Sequence, residues 1–390
     1  MTDSASKYIY FTTVVTFCSL YAAQPIQPLF QQEFQLSHFQ AILFTTLMMA
    51  PLGVAPLFYG YILESFSAKV MVRWALFLLG ILEIIFSLAG DYLTLLTIRA
   101  VQGLMIPAIL TSLMSYISYS SPKEKVQHAI AAYIAATILG GFLGRFLSGL
   151  CTDLFGWRFF FFVLGLLLLL NSYLLKRMVR DAKMHYARPK LAEIVSLLKA
   201  KEFLWLYTSI FCLFFVFAAL MNFLPFELKS INPAFRETGI GLLYLGYSMG
   251  ILVSLNTRRI INHFGNESDA ISMGIVVFGV GIVFFMIENY IVMFITMFVF
   301  CAGLFTSHSL LSGFVNKLAQ QNKAIANGLY ISFYYTGGTL GSVLPGAVFE
   351  RFGWQAFLIQ LLSMVCLAFF VTRRLKIAVQ VSENRAVVQP

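Results

Sequence analysis

The sequence predicts an all-α membrane protein with twelve transmembrane helices in two pseudo-symmetric six-helix bundles. Three observations predict it. The 390-residue chain is 59% hydrophobic and only 11% charged, with a mean hydropathy of +0.82, a balance that the wet surface of a soluble domain this long does not tolerate. Apolar runs of about 20 residues recur from end to end, each long enough to cross a hydrocarbon layer about 30 Å thick as a helix. Barrel strands are half as long and alternate, so they do not fit. Finally, one glycine-rich stretch occurs twice, once in each half of the chain.

Taken in order, the spans start near Tyr8, Phe39, Met71, Tyr92, Val126, Phe159, Phe203, Gly239, Ala270, Tyr290, Ala324 and Ala356. The polar leader before Tyr8 is short, and the apolar run after it is too long for a signal-peptide core, so the first span is expected to remain as a helix. Residues 1–175 form the first bundle. Residues 176–202 turn polar and basic and make a cytoplasmic linker, in which Lys190 to Lys199 has the pattern of an amphipathic helix on the membrane surface. Residues 203–372 form the second bundle and 373–390 a cytoplasmic tail.

The formal net charge of +10 does not indicate a nucleic-acid partner, because the basic residues sit in alternate loops. Lys69, Arg73, Lys123, Lys125, Lys176, Arg177, Arg180, Lys183, Arg188, Lys190, Arg258, Arg259, Lys317, Lys323, Arg373, Arg374 and Lys376 fall on the side that holds both termini. The opposite loops carry little beyond Arg158, Lys229, Arg236 and Arg351, which makes both termini cytoplasmic. Cys18, Cys151, Cys212, Cys301 and Cys366 lie scattered in apolar segments with no metal-ligand spacing. No metal, disulfide or organic cofactor is expected.

GGFLGRFLSGLCTDLFGWRFF from Gly140 aligns without gaps to GGTLGSVLPGAVFERFGWQAF from Gly337. A duplicated six-helix unit joined by a cytoplasmic linker is a parallel internal repeat, a plan in which solute binds between the halves near the midplane and the halves rock around it. Gly140, Gly144 and Ser148, with Gly337, Gly341 and Pro345 in the second copy, form small-residue stripes that admit close helix approach. Close packing between the halves is the plain reading of these stripes, and a moving interface is compatible with it.

Polar residues inside the spans mark the candidate site. Arg99 lies about eight residues inside the outer end of span 4, hence about 12 Å deep. Gln24 in YAAQPIQPLF is at the same depth in span 1, so Arg99 pairs either with Gln24 or with carbonyls of span 1, functionally or as a structural arginine. Pro25 and Pro28 free the carbonyls of Tyr21 and Gln24, and the face carrying Tyr21, Gln24 and Pro28, with Gln31 beyond, is tolerable only against protein or water; Tyr21, Gln24 and Gln27 are the cavity candidates of this stretch. Glu83 is the one acid read as deep within a span. It lies as far from the span 3–4 turn as Arg99, so the two can pair; it is either the proton carrier or a structural, outward-reaching side chain. Arg145 either faces an anionic ligand or reaches Asp153 or the outer surface. His308 is a proton relay or a satisfied core histidine bonded to Ser307, Ser309 or a neighbouring helix. Asn222 and Tyr334 are placed to line the cavity from the second half.

YAAQPIQPLF, RAVQG at Arg99–Gly103, Gly140–Gly149, GLFTSHSLLSG around His308 and both Gly-Trp loops together resemble the major facilitator superfamily, in its twelve-helix drug:proton-antiporter-like branch. The resemblance covers essentially the whole chain. It implies a bacterial inner-membrane, multi-pass transporter with a central cavity, in which Arg99 faces that cavity beside span 1 and is tied to coupling. Span 5 fits the antiporter pattern except that Arg145 replaces a proline and Ser148 a glycine. Gly60, Glu64 and Lys69 match the gating loop after span 2, while Ser65, Ser67 and Ala68 depart from it, so the cytoplasmic latch is expected to be thin. Gly140, Gly144, Gly149, Gly337 and Gly341 would then serve the moving interface.

The expectation is a secondary active transporter that moves a small organic solute by alternating access, as proton-coupled efflux; the alternatives are an importer or exporter of an anionic or carboxylate solute, including a carboxylate siderophore, and a non-transporting receptor on the same fold. A membrane-embedded enzyme is not expected, since the chain has no HExxH, no GxSxG and no paired intramembrane aspartates. The expected partners are a small-molecule solute and membrane lipid, with the protein acting as a monomer and the proton gradient as energy source.

Overall fold

The computed structural model describes residues 3–65, 67–121, 126–177, 191–319 and 323–388. Among them there is no strand. The first half is built of α1 (Asp3–Tyr21), α2 (Gln27–Glu33), α3 (His38–Ser65), α4 (Ala68–Leu88), α5 (Tyr92–Ser120), α6 (Val126–Phe155) and α7 (Trp157–Leu174). Next come α8 (Leu191–Lys199), α9 (Lys201–Ile231), α10 (Glu237–Leu243), α11 (Met249–Phe264), α12 (Glu267–Phe284), α13 (Tyr290–Leu318), α14 (Lys323–Val343) and α15 (Gly346–Val388). Gly353, with φ of 75°, breaks the last of these near its start.

Eleven segments among the described residues are long and apolar enough to cross a membrane. Each begins within a few residues of an expected span, except the last, which starts at Gly346 rather than near Ala356. The expected span near Ala324 is present as the helix α14, 21 residues long, but it is not among the eleven. Its glycines, tyrosines and hydroxyl side chains hold its hydropathy down. The surface inverts the soluble pattern: Leu88 and Leu255 are 74% exposed, whereas Arg99 is fully buried.

Two of the crossings are interrupted by a 3-10 segment. Pro25 and Pro28 follow Tyr21, and the backbone there tightens into a 3-10 turn over Gln24–Ile26 between α1 and α2. Pro cannot donate the intrahelical bond, so the break falls where the sequence requires it. Between α10 and α11 a second 3-10 segment, Tyr244–Ser248, interrupts the eighth expected span.

The helices form two compact units. The first comprises Met1–Tyr186 with Met221–Ser248. An aromatic cluster packs within it: Phe30 lies 4.8 Å from Phe44 and 5.0 Å from Trp157, and Phe86 lies 4.8 Å from Phe161, between ring centroids. The tilted and edge-on arrangement suits aromatic quadrupoles. The glycines of α6 seat α1: a Cβ on Gly140 would stand 2.5 Å from the Val14 carbonyl oxygen, and one on Gly144 2.5 Å from Cys18 Cα.

The second unit comprises Ala187–Leu220 with Met249–Pro390. It packs Phe278 on Phe300 at 4.3 Å, and the Trp354 indole donates to the Phe285 carbonyl at 2.9 Å. Here a Cβ on Gly337 would stand 2.3 Å from the Phe211 oxygen, and one on Gly341 2.0 Å from the Phe215 oxygen. The shift along the chain that carries Gly140 to Gly337 also carries Val14 to Phe211 and Cys18 to Phe215. The duplication is therefore realised as the same helix pair in each unit. This corrects the reading of the stripes as contacts between halves: Gly140, Gly144, Gly337 and Gly341 bring helices of one unit together, because only a missing Cβ lets two backbones approach that closely.

Several expectations fall on residues outside those described, among them Lys123, Lys125, Arg180, Lys183, Arg188 and Lys190. The side chain of Arg177 and the surroundings of Gly60 and Glu64 lie outside them too. The linker helix starts at Leu191, with Leu191 76% exposed and Val195 also exposed, consistent with an amphipathic surface helix.

Candidate functional site

The first unit buries two arginines, each with its own surroundings. Arg99 projects from α5. Its Nη1 donates to Gln102 Oε1 at 3.0 Å and to the Ser19 carbonyl at 3.4 Å, and lies 3.6 Å from Glu83 Oε1. The guanidinium stacks over Phe86 at 4.3 Å and Phe161 at 4.8 Å, which shields the charge from lipid and adds cation–π attraction. Glu83, on α4, is completely buried and accepts a hydrogen bond from the Ser19 hydroxyl of α1. Glu83 Oε2, Arg99 Nε and Nη2 and Gln102 Nε2 are buried with no hydrogen-bond partner.

The hairpin geometry thus joins Glu83 to Arg99, and Glu83 does not reach outward. Of the two span 1 partners considered for Arg99, a carbonyl, that of Ser19, is the one found; Gln24 is not. Equal depth along the membrane normal fixes one coordinate, and the direction a side chain takes around its helix decides the rest. Ser19 and Gln102 were not singled out beforehand, although Gln102 follows Arg99 by one helical turn in the RAVQG stretch, which was signal enough.

Arg145 projects from α6 and is 1% exposed. Its Nε donates to Gln24 Oε1 at 2.6 Å and its Nη1 to the Gly141 carbonyl at 2.7 Å. Three tyrosines surround the guanidinium, with ring centroids at 4.0 Å for Tyr21, 4.9 Å for Tyr244 and 5.2 Å for Tyr247. Beyond Gln24 the polar groups continue: Gln24 Nε2 and Gln27 Nε2 both donate to Asn222 Oδ1, at 2.9 and 3.0 Å, and Gln27 Nε2 also donates to Thr45 Oγ1 at 2.9 Å. Tyr21, Gln24, Gln27, Arg145 and Asn222 are therefore brought together. Tyr244 and Tyr247 were missed, and their one-turn spacing next to Gly246 was the available sign.

Neither alternative partner of Arg145 is found. It does not reach the outer surface, and Asp153 is engaged elsewhere, accepting from the Thr238 amide at 2.8 Å and from the Glu237 amide at 3.3 Å. That carboxylate caps α10 from a neighbouring helix, where α10 has no side-chain cap of its own. Gly149 makes the approach possible, since a Cβ there would stand 2.4 Å from the Glu237 oxygen. Glu237 in turn pairs with Lys229 at 2.8 Å.

Glu83 is not the one buried acid, as read from the sequence. Glu227 is also buried, at 7% exposure, because α9 runs 31 residues and carries PFELK inward of its end. In the second unit the Tyr330 hydroxyl lies 2.9 Å from His308 Nδ1 and donates to the His308 carbonyl at 3.1 Å. A neighbouring helix thus satisfies His308, rather than Ser307 or Ser309. Tyr334 stacks on Phe214 at 3.6 Å and lies 4.8 Å from His308. Lys69 is half-buried at the start of α4. No group of three or more metal-binding side chains occurs among the described residues.

A family model described as Major Facilitator Superfamily matches residues 9–258, more than half of the chain. An "Uncharacterized transporter" of Buchnera aphidicola subsp. Baizongia pistaciae is 26% identical over 368 residues, covering 92% of this chain and 90% of its own. "Inner membrane transport protein YnfM" of Escherichia coli (strain K12) is 26% identical over 373 residues, covering 93% of this chain and 88% of its own. Among solved structures, a bacterial homolog to the human lysosomal transporter Spinster superposes with a TM-score of 0.75 at 13% identity, over 97% of this chain and 99% of that one. At that identity the likeness concerns the fold.

Proposed function

Because this chain belongs to the Major Facilitator Superfamily, we propose that it is a secondary active transporter that moves a small organic solute by alternating access, as efflux driven by the proton gradient. Twelve spans in two six-helix bundles serve the rocking motion, with 1–175 and 203–372 as the bundles, 176–202 as linker and 373–390 as tail. The protein works as a monomer in a bacterial inner membrane with both termini cytoplasmic, a placement supported by the loop charges and by the printed name of the Escherichia coli relative. The segment after span 2 that carries Gly60, Glu64 and Lys69 closes the cytoplasmic side.

The observation that carries the coupling is the buried Glu83–Arg99 pair with Ser19 of α1 bonded to the carboxylate. When Glu83 is ionised, it holds Arg99 by charge and Ser19 by a hydrogen bond. When Glu83 takes a proton, the charge that attracts Arg99 is lost and Oε1 becomes a weaker acceptor, so both Arg99 and Ser19 are held less tightly. Ser19 lies just before the break that carries Gln24 and Gln27. A proton at Glu83 is thereby felt at the amides beside Arg145. Burial makes the switch costly to leave half-made: removing one member of a buried ion pair costs about 3–5 kcal/mol. His308, bonded across to Tyr330, is the second proton candidate, and among the described residues no charged side chain pairs with it as Arg99 pairs with Glu83.

The test uses reconstituted proteoliposomes with a pH-sensitive dye inside, an imposed pH gradient, and 4-hydroxybenzoate, glucose and tetraphenylphosphonium offered in turn. Wild type moves at least one of them with proton flux. Glu83→Gln loses gradient-driven accumulation by at least about tenfold, taking the loss of about 1.4 kcal/mol or more of coupling as the threshold, and keeps gradient-free exchange. His308→Gln accumulates like wild type. Gradient-driven accumulation retained in Glu83→Gln and lost in His308→Gln reverses the assignment.

A further inference from the structure

The two interrupted crossings of the first unit meet at one side chain. Arg145 is touched by Tyr21 and Gln24 at the first break and by Tyr244 and Tyr247 at the second. Broken helices at membrane depth are tolerated where they line a binding cavity, and they are the strongest pointer to a transporter's ligand site.

Two unspent valences lie within that cluster. The first is the charge of Arg145. Among the described residues no carboxylate stands within ion-pair distance of it, in contrast to Arg99 with Glu83. Its hydrogen bonds use Nε and Nη1, and both go to neutral oxygens. A buried guanidinium is stabilised by tyrosine faces, but they do not neutralise it. The second is Gln27 Oε1, an acceptor buried with no hydrogen-bond partner while its own amide nitrogen is fully engaged. Gln24 and Asn222 join the two in one chain of amides. A group with a negative charge answers the first, and a neutral O–H or N–H donor answers the second. An ammonium would not suit, since the nearest fixed charge is itself positive.

We infer that the cluster of Arg145, Gln24, Gln27 and Asn222, walled by Tyr21 and Tyr244, is the solute site and takes a small organic carboxylate that carries a hydroxyl group. The inference rests on the transport reading above and names the class of solute for it. The carboxylate pairs with Arg145, the hydroxyl donates to Gln27 Oε1, and the apolar body lies against the tyrosine rings.

The test is binding to the purified full-length protein in lipid nanodiscs by isothermal titration. The probes are 4-hydroxybenzoate, benzoate, which lacks the donor, methyl 4-hydroxybenzoate, which lacks the charge, and tetraphenylphosphonium. In wild type 4-hydroxybenzoate binds about tenfold or more tighter than either aromatic analogue, the factor expected when a buried polar group is left unpaired. In Gln27→Leu the ratio of 4-hydroxybenzoate to benzoate collapses toward one. In Arg145→Lys both carboxylates weaken and the methyl ester does not. Because each readout is a ratio within one preparation, a general loss of stability does not imitate it. Tetraphenylphosphonium binding more tightly than 4-hydroxybenzoate overturns the inference, and so does a wild type that discriminates none of the four. If the carboxylates bind in this order but nothing crosses proteoliposomes, the inference stands and the transport reading fails.

Discussion

Arg99 and Arg145 have the same side chain, the same burial and opposite electrostatic settings. Arg99 faces a carboxylate on α4 and two phenylalanine rings, a balanced charge held in a dry box. Arg145 faces amides, a carbonyl and tyrosines. The first setting suits a proton that comes and goes on Glu83, and the second suits an anion brought from outside. Arg99→Lys keeps the charge and loses the planar stack on Phe86 and Phe161. It is expected to lower stability by about 1–2 kcal/mol, read as an earlier unfolding transition in detergent. The partnership of Arg99 with Glu83 was open to sequence reading, because residues equidistant from a hairpin turn lie at one level of adjacent helices and can meet there. The Arg145–Gln24 bond was not, since depth alone says nothing about which way a side chain leaves its helix.

At the scale of elements, glycine decides which helices touch. Gly144 lets α6 lie against Cys18 of α1, and Gly341 lets α14 lie against Phe215 of α9, with backbone as the obstructing atom in each case. Gly341→Ala therefore cannot be relieved by rotating a side chain, and a loss of about 1–3 kcal/mol is expected, with Gly144→Ala similar. By contrast Gly90, whose Cβ would meet nothing within 4 Å, tolerates alanine, and equal unfolding temperatures for all three variants would contradict this account. Asp153→Ala removes the cap that α6 lends to α10 and is expected to cost about 1 kcal/mol, measured in the same way. Sequence reading found the stripes from their spacing. It assigned them to the wrong partner because a missing Cβ records that something approaches closely and not what.

At the scale of the molecule, the all-helical class was legible because span length and apolarity are set by the bilayer and not by packing details. The count was less so: α14 is a helix of the right length whose small and hydroxyl residues hold down its hydropathy, since a helix lined by protein need not be apolar all round. The 3-10 break at Gln24 followed from two prolines, whereas the one at Tyr244–Ser248 has no proline to announce it. The proposed topology is open to impermeant labelling. In a cysteine-free background, a cysteine at Asn232 is expected to react with a membrane-impermeant maleimide in intact spheroplasts and one at Glu193 only after lysis. The reverse pattern would invert the membrane orientation.

The account turns on a proton at Glu83 acting through Arg99 and Ser19. The most direct test compares, in one set of proteoliposomes, gradient-driven accumulation and gradient-free exchange of 4-hydroxybenzoate by wild type and Glu83→Gln. The account predicts that Glu83→Gln exchanges at close to the wild-type rate, with accumulation and dye-reported proton flux both lost. Wild-type accumulation and proton flux in Glu83→Gln would contradict it.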